Sequence, residues 1–361
     1  MNNLNQAVAS PEDNNYLRKS LWVGLLLAII IASFIYFAEK GRLSIAAPSS
    51  SGSVDSLQRQ KMEVDKGPLL FKSESVSVKE PLKSFFTIDD VKRYTITITD
   101  DMNYDLTVAS YMGSEQEQRH AVIYLPAKKD DEGKVVDREK VPVQFRYEQW
   151  LSASEAINKY TKSDSLFVSF WDNAQRIHLF TGRDNWVTLP AEDAYMEDEH
   201  ALWQEIAGGF DHQGRSAKFS QLLLMDMGEA LQELQKELPQ GRDHYLLLST
   251  DDLSHVQEIA RMTGRGLPLE TRLFPADADL HETISQVKQW AQEGEGTGSY
   301  LAQSISERSI RVWRITDESF ENTLLARLLP FSSSLDRSIE GAKLVYQSDW
   351  GGYISIYQLL D

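Results

Sequence analysis

The stretch that decides the fold is Leu166 to Arg183, LFVSFWDNAQRIHLFTGR. Leu166 to Phe170 is a continuous apolar run, the composition of a strand buried on both faces. From Trp171 the spacing turns helical, and Gly182 offers the left-handed residue that ends a helix. Asp172 with Gln175 spells a capping box, and Asp172 with Arg176 has the i, i+4 separation of a helical ion pair. A strand that passes directly into a helix is the first half of a βαβ unit. Two readings of its polar residues stay open. In one, the segment is a capped crossover helix with Trp171 packed beneath it. In the other, Trp171, Asp172, Arg176 and His178 stand at the carboxyl end of a parallel strand, where α/β sheets hold ligands or partners.

Working toward the C-terminus, Ser216 to Leu238 repeats apolar residues at Phe219, Leu222, Leu223, Met227, Ala230, Leu231 and Leu234, which predicts one amphipathic helix. Tyr245 to Leu248 reads as a strand, Asp252 to Met262 as a helix and Leu269 to Phe274 as a strand. A helix from Asp279 to about Gln292 follows and stops before Gly294. This alternation with short links predicts a parallel sheet. The end of the chain returns to strands at Arg311 to Ile315, Ala342 to Tyr346 and Tyr353 to Tyr357, with a hairpin turn at Asp349-Trp350-Gly351-Gly352. Toward the N-terminus the period is two from about Leu69 to Tyr147, as in Tyr94 to Ile98, Leu106 to Val108 and Ala121 to Tyr124. The charged stretch Lys128 to Lys140 reads as a solvated hairpin loop. The expected fold class is α/β: a β-rich subdomain at 68–148, then an α/β domain at 149–361 with a mostly parallel or mixed sheet and a C-terminal β-hairpin.

Leu21 to Ala38 is a run of 18 residues without a charge. As a helix it would be about 27 Å long, close to the hydrocarbon core of a bilayer. Trp22 and Tyr36 sit near its ends, where such rings prefer the headgroups. It is read as a single transmembrane helix behind a cytoplasmic leader at 1–20. Residues 39–67, rich in Ser, read as a flexible tether. A short leader before a long acidic body predicts a single-pass protein of the bacterial inner membrane with its body in the periplasm.

The chain has 361 residues, with 37 Lys and Arg against 54 Asp and Glu, a net charge of -17. That balance argues against nucleic-acid binding, which needs a basic face. There is no cysteine, which removes disulfides, thiolate metal sites, iron–sulfur clusters and the attachment of a c-type haem. The seven His form no zinc-binding pair. Asp251-Asp252 and Asp277-Ala278-Asp279 precede helices and read as caps. Gly294 to Gly298 lacks the Lys of a phosphate loop and reads as a flexible connection. No metal, cofactor or catalytic residue is assigned. Trp186, Trp203, Trp290 and Trp313 read as core. Trp350, in a Gly-Gly turn, is expected to be exposed and is added to the candidate contacts.

Trp171 and Asp172 resemble part of the Trp-Trp-Asp-Tyr-Gly motif in the soluble domain of oligosaccharyltransferase catalytic subunits. Phe170, Asn173 and Ala174 stand where that motif has its first Trp, its Tyr and its Gly. This resemblance implies a similar strand-to-helix step, and a function as an envelope glycan-binding protein or subunit of a lipid-linked-sugar transferase. The whole chain, with its membrane helix, Ser-rich tether and the segments FWDNAQRI and VYQSDWGGYISIY, resembles the hydroxylamine oxidation protein HaoB family. That resemblance implies a non-enzymatic accessory protein of hydroxylamine oxidation in nitrification. Its partner would be a haem protein, the multihaem hydroxylamine oxidoreductase or a cytochrome.

Overall fold

The computed structural model describes residues 70–77, 82–99, 102–137, 141–275, 280–306, 309–329, 339–348 and 353–360. The described residues of 70–275 and 283–360 belong to one compact unit. The described chain opens with a four-stranded antiparallel sheet of β1 (Phe71–Ser75), β2 (Ile88–Thr99), β3 (Met102–Met112) and β4 (Gln118–Ile123), in that spatial order. Its alternating residues Val91, Ala109, Tyr111, Ala121 and Ile123 are buried on one face, as the period of two requires. The period ends earlier than the sequence suggests: Val141–Tyr160 is helix α1, not an extension of the strands. The spacing of Trp150, Ala153 and Ile157, buried on one side of α1, is helical and outweighs the alternation upstream.

β5 (Leu166–Val168) passes into α2 (Trp171–Thr181), which returns to β6 (Asp184–Asn185) parallel to β5. Gly182 ends α2 at φ 68°, in the left-handed region that favours glycine, and a Cβ there would press to 2.8 Å from the Phe85 ring. Three helices follow: α3 (His200–Ala207), α4 (Arg215–Leu223) and α5 (Met227–Glu237). The last two replace the single helix predicted over 216–238. The break falls at Asp226, whose side chain accepts from the Gly228 amide at 2.9 Å and caps α5. Apolar periodicity ran across the junction because both helices pack on the same core.

β7 (His244–Ser249) lies parallel to β5, and a 3₁₀ turn leads into α6 (Val256–Thr263). β8 (Leu269–Pro275) then departs from the expectation. It leaves the parallel sheet and joins a separate antiparallel sheet of order β8-β10-β9. That sheet is completed, after α7 (Leu280–Gln292), by β9 (Tyr300–Ser306) and β10 (Ser309–Ile315). After α8 (Leu324–Leu328), β11 (Ala342–Gln347) and β12 (Ile354–Leu359) form the C-terminal antiparallel hairpin. β12 pairs antiparallel with β7, giving a mixed five-stranded sheet β11-β12-β7-β5-β6. The body is therefore mixed α/β, with its parallel part confined to β7, β5 and β6. Phe167, Tyr245, Leu247, Ile354 and Ile356 point to one face of this sheet beside Ile177 of α2, while Val168, Leu246 and Leu248 point to the other. No helix of the described residues is long and apolar enough to cross a membrane. Leu21 to Ala38, the tether and Trp350 lie outside the described residues.

Candidate functional site

Three strand ends converge. β5 and β7 run side by side in one direction, and β12 runs against them with Ile354 opposite Ser249. The carboxyl ends of β5 and β7 therefore meet the amino end of β12. The chain leaves β5 into Trp171 and Asp172, leaves β7 into Asp251 and Asp252, and enters β12 through Tyr353. Tyr124 just beyond β4, Arg146 of α1 and Gln303 of β9 reach the same place through their hydrogen bonds to Asp251.

Asp251 is the hub. Arg146 donates to it from Nε at 2.7 Å and from a terminal nitrogen at 2.9 Å. Gln303 donates at 2.9 Å and the Tyr124 hydroxyl at 3.1 Å, and the Tyr353 hydroxyl completes the set. Five donors fill the roughly four lone-pair positions of a carboxylate. Burial would raise this carboxyl, but Arg146 and the hydrogen bonds of Tyr353 and Gln303 hold it down at about 2. Burial and the charge of Asp251 push the phenols of Tyr124 and Tyr353 up, so both keep the proton they donate.

Asp172 forms the second node. One oxygen accepts from His255 Nε2 at 3.1 Å and the other from Arg176. The opposite ring nitrogen of His255 meets Glu258 at 2.9 Å, and Phe170 stacks on the ring at a centroid distance of 4.5 Å. Burial works against charge on both Asp172 and His255. Arg176 and His255 nevertheless hold Asp172 well below the usual carboxylate range, and Glu258 and Asp172 carry His255 well above the usual histidine value. The Arg176 guanidinium also donates to Asn173 at 3.0 Å and lies 4.8 Å over the Trp150 ring. Asn173 in turn donates to Asp252 at 2.6 Å, and Asp252 closes back on the Ser249 amide at 2.9 Å.

Four acids, Asp172, Asp251, Asp252 and Glu258, thus face three bases, Arg146, Arg176 and His255. The surplus acid is Asp252. Burial and the neighbouring charge of Asp172 raise its carboxyl to about 7. The arrangement can store one proton near neutrality, while both oxygens of Asp172 and of Asp251 are already bonded. Among the described residues, no group of three His, Asp or Glu side chains is placed to hold a metal ion.

The candidates read from the sequence separate. Asp172 and Arg176 form the expected ion pair, and Trp171 is buried at the head of α2, edge-on to Trp203. The capping box does not form. Asp172 lies inside the first turn and bonds to Arg176 and His255, and Gln175 donates instead to the Ala207 carbonyl. His178 lies on another face of α2, bonded to the Tyr111 hydroxyl at 2.8 Å and stacked on Phe86. Burial, aided by Arg119, lowers its pKa to about 4, so the ring is neutral. Asp252 does belong to a capping box with Ser249, but Asp251 is no cap. Asp251 and His255 were recoverable in principle, because the argument applied to the end of β5 applies equally to the end of β7. Arg146 and Tyr124 carry no local signal, since each arrives from a different layer.

The sequence profile of the family described as HaoA-associated protein HaoB matches residues 69–359. The chain belongs to the HaoB family. A search of curated proteins returns no match. Among solved structures, the chain is similar to the C-terminal domain of PglB from C. jejuni, at 14% identity and a TM-score of 0.35, covering 58% of this chain and 99% of that one.

Proposed function

We propose that this HaoB-family chain is a non-enzymatic accessory protein of hydroxylamine oxidation that binds the multihaem oxidoreductase HaoA. The observation that carries the reading is the family match over 69–359, which spans all but one of the described residues, in a family described by its association with HaoA. Physical features support it. A chain without cysteine holds no c-type haem, so electrons would move through the partner. The carboxylates at the sheet end are bonded internally and offer no free nucleophile or base at Asp172 or Asp251. A net charge of -17 would steer a basic partner, an effect that salt weakens. Leu21 to Ala38 would anchor the chain in the inner membrane with its body in the periplasm, raising the local concentration of whatever the body binds. The glycan-binding alternative needs Asp172 open to an acceptor, and both its oxygens are held by Arg176 and His255.

The test is capture from native membranes. The detergent-solubilised full chain is expected to co-purify HaoA, and deletion of 21–38 is expected to preserve binding while releasing the complex from the membrane. Absence of HaoA from the captured proteins, together with unimpaired hydroxylamine oxidation in a deletion strain, would overturn the reading.

A further inference from the structure

At the opposite end of the parallel strands from the ion network lies a recess of about 480 Å³. Leu166 and Asp184, the paired first residues of β5 and β6, border it. So do Trp186, Arg119 of β4, Arg215 at the start of α4 and Arg242 just before β7. Three guanidiniums on one recess stand out in a chain of net charge -17. All three are open to solvent: the Arg119 side chain is 33% exposed, that of Arg242 27%, and Arg215 is exposed. Their hydrogen bonds show which are already spent. Arg242 donates to the Asp184 carboxylate at 2.7 Å and to the carbonyls of Asp164 and Ser165, so it is tied into the wall. Among the described residues, Arg119 gives only its Nε, to Glu117. Arg215 gives one terminal nitrogen to the Trp186 carbonyl at 3.2 Å and meets no carboxylate among them. The contacts of Arg215 and Arg242 fall on Trp186 and Asp184, two residues apart on one segment of the lining. Both guanidiniums therefore stand at the recess wall.

The charges here do not cancel. Of the carboxylates on the recess, Asp184 is taken by Arg242, and Glu237 stands 3.3 Å from Lys218. With Glu117 matched to Arg119, one positive charge is left over, that of Arg215. It comes with unspent N–H donors on Arg215 and on the terminal nitrogens of Arg119. A guanidinium presents such donors as a flat fork, which takes the two oxygens of a carboxylate side by side. Trp186, Leu238 and Pro239 add an apolar part to the lining. The volume is that of ordinary small-molecule sites. One spare cation calls for a single negative charge, and the apolar lining calls for a carbon body beside it. We propose that this recess binds a small organic monocarboxylate, with the carboxylate on Arg215, drawn in also by Arg119, and the apolar part against Trp186, Leu238 and Pro239. The inference goes beyond the accessory role and stands without it.

Calorimetric titration of the full chain in detergent at low salt, with haem absorbance confirming that no oxidoreductase is present, would use benzoate and butyrate. Benzyl alcohol, benzylamine and inorganic phosphate serve as controls. At least one carboxylate is expected to bind saturably at one site, at least tenfold more tightly than any control, and to weaken as salt is added. Arg215→Gln removes the unmatched charge and is expected to weaken binding at least tenfold. Thr188, exposed on the rim of the recess, is the place to narrow the mouth. Thr188→Trp leaves every charge in place and is expected to weaken binding at least tenfold as well. Should Arg215→Gln fail to fold, Thr188→Trp carries the test alone. Absence of saturation with both carboxylates overturns the proposal. A neutral or cationic control that binds as well would leave only an apolar hollow, and phosphate that binds more tightly would make this a general anion site; either result overturns it too. It falls equally if a folded variant binds like the parent, because the carboxylate would then sit elsewhere.

Discussion

The two sides of α2 solve the problem of buried polarity in opposite ways. Toward the sheet end, Asp172, Asn173 and Arg176 enter a network in which Asp172 meets both Arg176 and His255 and both of its oxygens are bonded. Toward β4, Gln175 and neighbouring Asn185 use their nitrogens and leave their oxygens bare. The first side pairs its charges internally, although Arg176 Nε and Gln303 Oε1 stay without a partner. The second keeps two amide oxygens closed off without a partner. The lesson is that the cluster of ionisable residues at the carboxyl ends of parallel strands, the usual place for a ligand, is bonded to itself, while uncharged amides nearby hold oxygens without partners.

If the network is architectural, breaking it must cost stability. Asp251→Ala removes the acceptor for Arg146, Tyr124, Tyr353 and Gln303 together and takes from the buried Arg146 guanidinium its carboxylate. Urea unfolding is expected to show a loss of about 3–5 kcal/mol. A loss below about 1 kcal/mol would mean that the site is wet and open. Arg176→Met is the next largest. His255 still holds Asp172 by a charge-assisted hydrogen bond, so the expected loss is about 1.5–3 kcal/mol by the same measurement.

The surplus proton gives a pH signature. Asp252, at about 7 when folded against about 3.9 when unfolded, binds its proton more tightly in the native state. Its contribution is fully present below about pH 4 and is lost as pH rises through 7, at up to about 1.36 kcal/mol per pH unit. His178, lowered to about 4, acts in the opposite sense, because its contribution is lost as pH falls from about 6.5 to 4. The difference between parent and Asp252→Asn isolates the first effect. Melts from pH 4 to 7 are expected to show the variant gaining on the parent with rising pH. Parallel curves would place the proton elsewhere.

The smallest effect belongs to the second side. Thr188→Trp touches an exposed rim and is expected to change stability by no more than about 0.5 kcal/mol. A large loss there would make the rim part of the core and erase the contrast between the two sides.

Much of the fold was legible locally. The apolar run at Leu166 to Phe170, the stop at Gly182 and the Tyr353 to Tyr357 alternation each report their own backbone, because side-chain period and glycine conformation are properties of a few adjacent residues. The α4–α5 break escaped because Asp226 is a single cap inside an otherwise continuous apolar stripe. The departure of β8 escaped for another reason: strand pairing is chosen between segments, and nothing in Leu269 to Phe274 states which sheet it will join. Of the site, Asp172 and Arg176 were visible because a helix places i and i+4 together. Their partner His255 lies 83 positions away from Asp172 in sequence.

From the sequence by itself came the acidic, cysteine-free composition, the strand-to-helix step at Trp171, the closing hairpin and the likeness to HaoB. Only the tertiary structure decided that Asp251 is a hub and not a cap, that His178 is neutral packing, and that Gln175 and Asn185 are the residues left with bare acceptors. The physical reason is range. Conformational preference acts over a few residues, whereas the charge state and hydrogen-bond satisfaction of a buried group depend on every layer that closes over it.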